Sequence, residues 1–270
     1  MKSHIYGLTA ALACLPAAAA DTLYEEGFSF RLLGFQSNAE TRLRLDAADG
    51  ALGTSISLED DLGYSDSEFL PAFDAIWRIN PRHRVELGYL RFGRDSQKTI
   101  SGEIRFGDKV FPVSSDVHSE FDSDVWRLTY GWSFDREGGN ELSLLLGLHT
   151  TKFTTRLETA SGAIAEAAER TIPLPTIGIQ GSWALGPSWR INGAVQVFSL
   201  EYDDYEGSFT TGSLAAEYRI NRNFAVGAGY AMNDYNLDVT KGKARGSFDY
   251  QFIDWQGRVL FSSSIPAATK

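Results

Sequence analysis

The chain has 270 residues, with 25 Lys and Arg against 35 Asp and Glu, a formal net charge of −10. That balance excludes nucleic acid as a partner, because binding a phosphate backbone demands basic surface. With 26 Gly, 17 Phe and 11 Tyr and a negative mean hydropathy, the composition suits a wall of half-apolar strands better than a soluble helical fold.

The first segment in chain order is a leader. Lys2 precedes an apolar run over residues 5–15, then Pro16 and the small residues 17–20, the pattern of a secretory signal peptide with cleavage expected after Ala20. The run is too short to span a bilayer as a helix, and no later stretch approaches about 18 apolar residues. The only cysteine, Cys14, lies in this leader within Ala11-Leu12-Ala13-Cys14, a loose match to a lipoprotein box. Removal of the leader leaves no thiol for a disulfide or a cysteine-ligated metal. One domain over residues 21–270 is expected.

From Gly27 onward the residues alternate. Phe28, Phe30 and Leu32 face one way against Ser29 and Arg31, the two-residue period of a strand. Phe69, Phe73, Ala75, Trp77 and Ile79 form the next apolar face, with Asp74 and Arg78 behind it. Asn80-Pro81-Arg82 turns the chain into Val85, Leu87 and Tyr89 against Arg84 and Glu86. Trp126, Leu128, Tyr130, Trp132 and Phe134 oppose Arg127, Thr129 and Ser133, and a polar turn over residues 135–140 follows. Leu142, Leu144, Leu146 and Leu148 oppose Glu141, Ser143 and His149. Ile177, Ile179 and Trp183 lead through Gly186-Pro187 to Trp189, Ile191, Val195 and Val197, against Arg190, Asn192 and Gln196. Leu214, Ala216, Tyr218 and Ile220 oppose Glu217 and Arg219, and Asn221-Arg222-Asn223 turns into Phe224, Val226, Ala228, Tyr230 and Met232. Phe248, Tyr250 and Phe252, against Asp249 and Gln251, open a last strand that continues to Phe261.

Every second connection is short, around Pro81, Gly138, Gly186 and Arg222. The intervening ones are mostly longer, at residues 46–68, 94–120 and 159–170, with shorter members at 203–208 and 241–245. Trp77, Trp132, Trp183 and Trp189 all sit beside the short turns, an aromatic girdle on one rim. The expected fold class is all-β: a transmembrane antiparallel up-and-down β-barrel of about ten strands, with short periplasmic turns and longer extracellular loops, in the outer membrane of a Gram-negative bacterium. A soluble sandwich or lipocalin-like barrel also alternates, but it buries its apolar face and covers itself with charge.

With the apolar faces on lipid, Arg31, Asp74, Arg78, Glu86, Arg127, Glu141, Arg190, Glu217, Arg219 and Asp249 point into the lumen. A ten-stranded barrel is little wider than an eight-stranded one whose side chains already fill it, so these charges are expected to pair and leave a plugged or narrow lumen. Gly107-Asp108, between alternating apolar residues in the second long loop, signals a small hairpin. Glu59-Asp60-Asp61 and Asp203-Asp204 are expected as solvated carboxylates on the outer side. Lys241, Lys243 and Arg245 crowd the last loop, where basic side chains suit lipopolysaccharide phosphates.

No cofactor motif stands out, and His83, His118 and His149 are not spaced as metal ligands. The omptin proteases are also ten-stranded and use acidic and His-Asp pairs at the rim; here Asp203-Asp204 is a possible acidic pair, but His149 should lie well inside the wall. There is no Gly-x-Ser-x-Gly elbow. An enzyme is not expected.

The run Leu58-Glu59-Asp60-Asp61-Leu62-Gly63, followed by Pro71, Asp74, Trp77, the Pro81-Arg82-His83-Arg84 turn and Tyr89, resembles a group of uncharacterised Gram-negative outer-membrane β-barrel proteins. The resemblance continues through Phe106-Gly107-Asp108, Gly147-Leu148-His149, Pro173-Leu174-Pro175 and Leu200-Glu201-Tyr202-Asp203-Asp204-Tyr205. It implies location and fold, with outer-membrane lipid, lipopolysaccharide and the barrel-assembly machinery as partners of a monomer. Such barrels often finish on a terminal Phe, whereas here residues 262–270 follow Phe261. The expected role is structural or surface-interacting, the alternatives a narrow channel for small solutes or an embedded hydrolase.

Overall fold

A computed structural model describes residues 27–202, 205–221, 223–241 and 244–263. The expected leader with Cys14, the Asp203-Asp204 pair, Arg222 and Lys243 lie outside the described residues. Among those residues the chain is all strand and turn: β1 (Phe28–Leu45), β2 (Ile56–Ser57), β3 (Ser67–Asn80), β4 (His83–Thr99), β5 (Ile104–Phe106), β6 (Lys109–Phe111), β7 (Asp116–Glu137), β8 (Asn140–Thr159), β9 (Ala165–Leu185), β10 (Trp189–Tyr202), β11 (Tyr205–Arg219), β12 (Phe224–Lys241) and β13 (Ala244–Ser263). The long strands pair antiparallel in chain order, skipping only the short β2, β5 and β6. β13 returns to β1 from Phe28↔Ser263 to Leu45↔Gly246, which closes a ten-stranded barrel. Closure removes both sheet edges.

Local chemistry sets the tight rim. The Asn80 side chain accepts from the N–H groups of Arg82 (2.9 Å) and His83 (3.1 Å), and Asn221 does the same for Asn223 and Phe224. Gly138 and Gly139 both have positive φ, as a two-residue turn between Glu137 and Asn140 requires.

The polarity of the wall inverts along each tall hairpin. On β7 the outward side chains from the tight rim are Phe134, Trp132, Tyr130, Leu128 and Trp126, all exposed, and the inward ones are Ser133, Gly131, Thr129 and Arg127. Beyond Trp126 the outward residues become Asp124, Asp122, Glu120 and His118, while Val125, Phe121 and Val117 turn inward and are buried. The apolar stretch from Phe134 to Trp126 is nine residues long, within the roughly 9–11 that a tilted transmembrane strand needs. A membrane-type half thus continues into a half organised like a water-soluble barrel, with its apolar core inside.

The strands are accordingly longer than the sequence pattern suggested. The loops expected at residues 94–120 and 159–170 shrink to residues 100–115 and 160–164, because alternation past the membrane band continues in opposite phase. Asp249 also requires correction: it pairs in register with Arg42, which is exposed on the outer face, and is itself exposed, so it does not belong to the lumen.

Two ladders stop short. β3 pairs with β4 only from Asn80↔His83 to Ala72↔Leu90, and Pro71 follows immediately; β9 pairs with β10 only from Trp189↔Leu185 to Val197↔Ile177.

Candidate functional site

The lumen has two storeys. Nearest the tight rim, Arg84 on β4 is held by four acceptors. Its Nε lies 2.6 Å from Glu86 Oε1, Nη1 reaches Glu141 Oε1 and Ser143 Oγ (3.0 Å), and Nη2 donates to Gln180 Oε1 at 2.5 Å. Glu141 also accepts from Arg78 Nη2 at 2.7 Å and from the hydroxyls of Ser133 (2.6 Å) and Ser143 (2.9 Å). Gly131 makes room for this: a Cβ there would lie 2.9 Å from Arg84 Nε and 3.0 Å from its Cζ. Every oxygen of the enclosed Glu141 carboxylate is therefore matched, the condition under which a buried charge is tolerated.

Higher in the lumen, Asp74 takes Arg127 Nη2 at 2.7 Å and lies 3.9 Å from Arg31 Nη1. Arg190 donates to Ser182 Oγ at 2.8 Å, and Ser182 in turn donates to Asn192. Glu217 and Arg219 are buried on the inner wall of β11. The nine charges other than Asp249 thus line one half of the lumen, around two spaces of about 640 and 150 Å³. These spaces share Arg31, Glu86, Gln180 and Asn192 as their partition.

The opposite storey is apolar and is filled by the first long loop. Ser57 Oγ accepts from the Asp60 N–H (3.1 Å), Asp61 accepts from the Ser57 N–H (2.8 Å), and Gly63 closes the turn with φ +74°. This reciprocal cap fixes a compact turn whose Leu58 and Leu62 point into the barrel, 0% and 1% exposed, among Phe92, Phe121, Phe153 and Leu157. Ile56 joins them from β2, which pairs with Leu43 on β1. Glu59 was expected among solvated carboxylates. Instead it meets Arg94 Nη1 at 2.7 Å, with side chains 7% and 1% exposed, and its second oxygen accepts from the Thr41 N–H at 2.9 Å. Arg94 also donates to Thr41 Oγ1 at 2.7 Å, and its guanidinium lies over the rings of Phe92 (4.6 Å) and Tyr64 (5.2 Å). Burial pushes the Tyr64 phenol up to about 12. The β5–β6 hairpin, present as expected with Gly107 at positive φ, lies against this plug: Thr54 N–H donates to Arg105 O at 2.8 Å and Gly107 N–H to Leu45 O at 3.0 Å.

The four girdle tryptophans all stand on the outer face near the tight rim. Trp77 stacks on Phe28 at 5.7 Å and Trp189 tilts against Tyr218 at 5.1 Å; Trp132 is exposed and Trp183 half-buried. A second aromatic level, Tyr89 against Trp126 at 4.6 Å, marks the other margin of the band; the phase change just beyond Trp126 was its signal in the sequence. Lys241 and Arg245 lie on the β12–β13 hairpin; their side chains and all of Lys243 are outside the described residues, as are Asp203 and Asp204. His149 is deep in the wall, its ring 4.9 Å from Phe209. Arg94 and Tyr64 were not singled out in the sequence, since nothing local distinguishes a loop arginine from one drawn across the lumen to a glutamate 35 residues earlier.

No family model matches the chain, and no curated protein matches it. Among solved structures it is similar to the outer membrane protease OmpT of Escherichia coli, at 12% identity over 87% of this chain and 96% of that chain, with a TM-score of 0.61. Weaker likenesses are to OprG of Pseudomonas aeruginosa (11% identity, 90% and 100% covered, TM-score 0.38) and to Ail, the attachment invasion locus protein of Yersinia pestis (9% identity, 86% and 99% covered, TM-score 0.36). At such identities the shared property is architecture: the chain has the fold of the outer-membrane β-barrels.

Proposed function

We propose that this chain is a monomeric β-barrel of a Gram-negative outer membrane, with its tight turns in the periplasm and its tall end at the cell surface, acting as a closed structural or surface-interaction protein. One observation carries the reading. The capped turn bearing Leu58 and Leu62 is seated inside the mouth and tied down by Glu59 and Arg94, so a solute crossing the barrel meets a closely packed, largely apolar stopper. The surface-facing end is rich in exposed Asp49, Asp60, Asp61, Glu103, Asp108 and Asp116, which favours a cationic or cation-bridged contact over an apolar one.

Planar-bilayer recording tests it. The native barrel is expected to show no conductance steps. Leu58→Asp, which places a carboxylate in the apolar stopper, is expected to produce them and to expose residues 46–66 to protease. Porin-sized steps from the native protein would overturn the reading. The role proposed is non-catalytic, so peptide and ester substrates added to the lipid-reconstituted barrel should not be turned over.

The two lumen spaces that meet at Arg31, Glu86, Gln180 and Asn192 favour one second reading, a narrow channel for small solutes whose gate is this stopper. A ligand-dependent conductance would select it.

A further inference from the structure

The wall is split between β9 and β10, and the split lies at the margin of the membrane band. In continued register, residues 172–176 of β9 would face residues 198–202 of β10, yet among the described residues no pairing extends beyond Ile177↔Val197. Each strand meanwhile stays paired to its other neighbour, β9 to β8 as far as Glu158↔Ala165 and β10 to β11 as far as Tyr202↔Tyr205. The ladder between them is therefore open over about 17 Å, taking roughly 3.4 Å per residue.

The depth of this slot follows from its neighbours. Ile177 and Val197, at its lower end, are exposed on the outer face, and β8 places Leu148 opposite Pro175 and Thr150 opposite Pro173. One step higher the wall becomes charged, with Lys152 Nζ 3.0 Å from Glu169 Oε2. The slot thus opens at the upper edge of the hydrocarbon band. Its outer rim holds Pro173, Pro175 and Ser199. Its inner side holds Ile172, Leu174 and Phe198, all packed on the apolar core, and the Thr176–Gln196 hydrogen bond (3.0 Å) closes the bottom.

The prolines decide what fits. A proline nitrogen is compatible with the unbroken β8 ladder only where it faces away from β8, toward β10. Pro173 and Pro175 therefore strip two donors from the edge that β10, or any added strand, would need. At the comparable split above Ala72↔Leu90, beside Pro71, the plug loop is tied to β4, where Leu62 O accepts from Ser96 Oγ at 2.8 Å. Among the described residues the pairing of β9 with β10 ends at Ile177↔Val197 and no loop backbone bonds to the slot's edges. A segment that brings no backbone demands and is present at that depth is a hydrocarbon chain.

We propose that the β9–β10 slot is a lateral binding site for one hydrocarbon chain of a membrane lipid, which lies between Pro173, Pro175 and Ser199 and reaches Leu174 and Phe198. The site rests on the membrane-spanning reading, which flotation of the protein with vesicles tests separately. In the full mature chain, p-benzoylphenylalanine replaces Phe198, or in a second protein Phe121, which also faces inward but from β7, away from the slot. Both are reconstituted in dioleoylphosphatidylcholine vesicles and irradiated. Mass spectrometry is expected to find a lipid adduct at position 198 and none at 121. The double variant Pro173→Val with Pro175→Val, which restores both donors and lets the ladder extend, is expected to lose the adduct. Cross-linking at 198 only into the protein itself, equal lipid adducts at 198 and 121, or an adduct unchanged in the double variant would overturn the site while leaving the membrane reading to the flotation result.

Discussion

Arg94 and Glu59 meet at 2.7 Å inside the barrel, and both are almost wholly removed from solvent. The pair joins the barrel wall to the loop that stops its mouth. Because Glu59 also accepts from the Thr41 backbone and Arg94 also donates to the Thr41 hydroxyl, removing either partner strands a charge. Glu59→Gln and Arg94→Met are each expected to weaken seating of the plug by about 3–5 kcal/mol, read as protease cleavage within residues 46–66. A Glu59→Met, Arg94→Met double variant should recover much of the loss, since it leaves no unpaired charge. Single variants as resistant as the native protein would refute the latch.

Tyr64 gives the plug a dependence on alkaline pH. Its phenol is raised from 10.0 to about 12, chiefly by burial. An unfolded or expelled loop ionises this group near its ordinary value, whereas the seated loop keeps it neutral. The stabilisation is therefore complete below pH 10 and falls away as pH rises toward 12. Protection of the loop from protease should fall in that window and should do so less in Tyr64→Phe; an ultraviolet titration with all tyrosines ionising near 10 would contradict it.

Gly131 is a packing requirement of the charge lattice. A Cβ at this position would press on Arg84, which is fixed by Glu86, Glu141, Ser143 and Gln180 and has no free direction of retreat. Gly131→Ala is expected to cost about 1–3 kcal/mol, seen as a lower heat-modification temperature on gels. A neutral substitution would show that the lattice adapts.

The height of the membrane band is testable on one strand. Leu146 and Thr154 both point outward from β8, but Leu146 lies mid-band and Thr154 stands above it, in register with Asp122 and Glu169. Leu146→Arg is expected to destabilise the inserted barrel by about 2–4 kcal/mol, and Thr154→Arg by about 0–1 kcal/mol or less, measured by denaturant titration in vesicles. Equal effects would displace the band.

The period-two pattern, the tight turns at Asn80, Gly138 and Asn221 and the tryptophans beside them were legible without coordinates, because strand alternation and turn chemistry are local. Ten strands and inward-facing Arg78 and Glu141 followed from that pattern, whereas Arg84, which holds Glu86 and Glu141 together, was left out of the expected lumen charges. Alternation does not say where water is. The acidic outer row of β7, from Asp124 to His118, reads in sequence as loop, and only the position of the closed wall shows that Val125 and Phe121 have turned inward while the strand runs on. Asp249 was misplaced for the same reason.

By itself, then, the sequence determined a ten-stranded barrel with an aromatic rim, since neighbours in the chain suffice to specify a strand and a turn. Only the tertiary structure decided that Leu58 and Leu62 stop the mouth, that Glu59 is buried on Arg94, and that the wall parts beside Pro173 and Pro175. Each of these depends on the distance between segments far apart in sequence, and on which of two equivalent strand faces the closed barrel turns away from solvent.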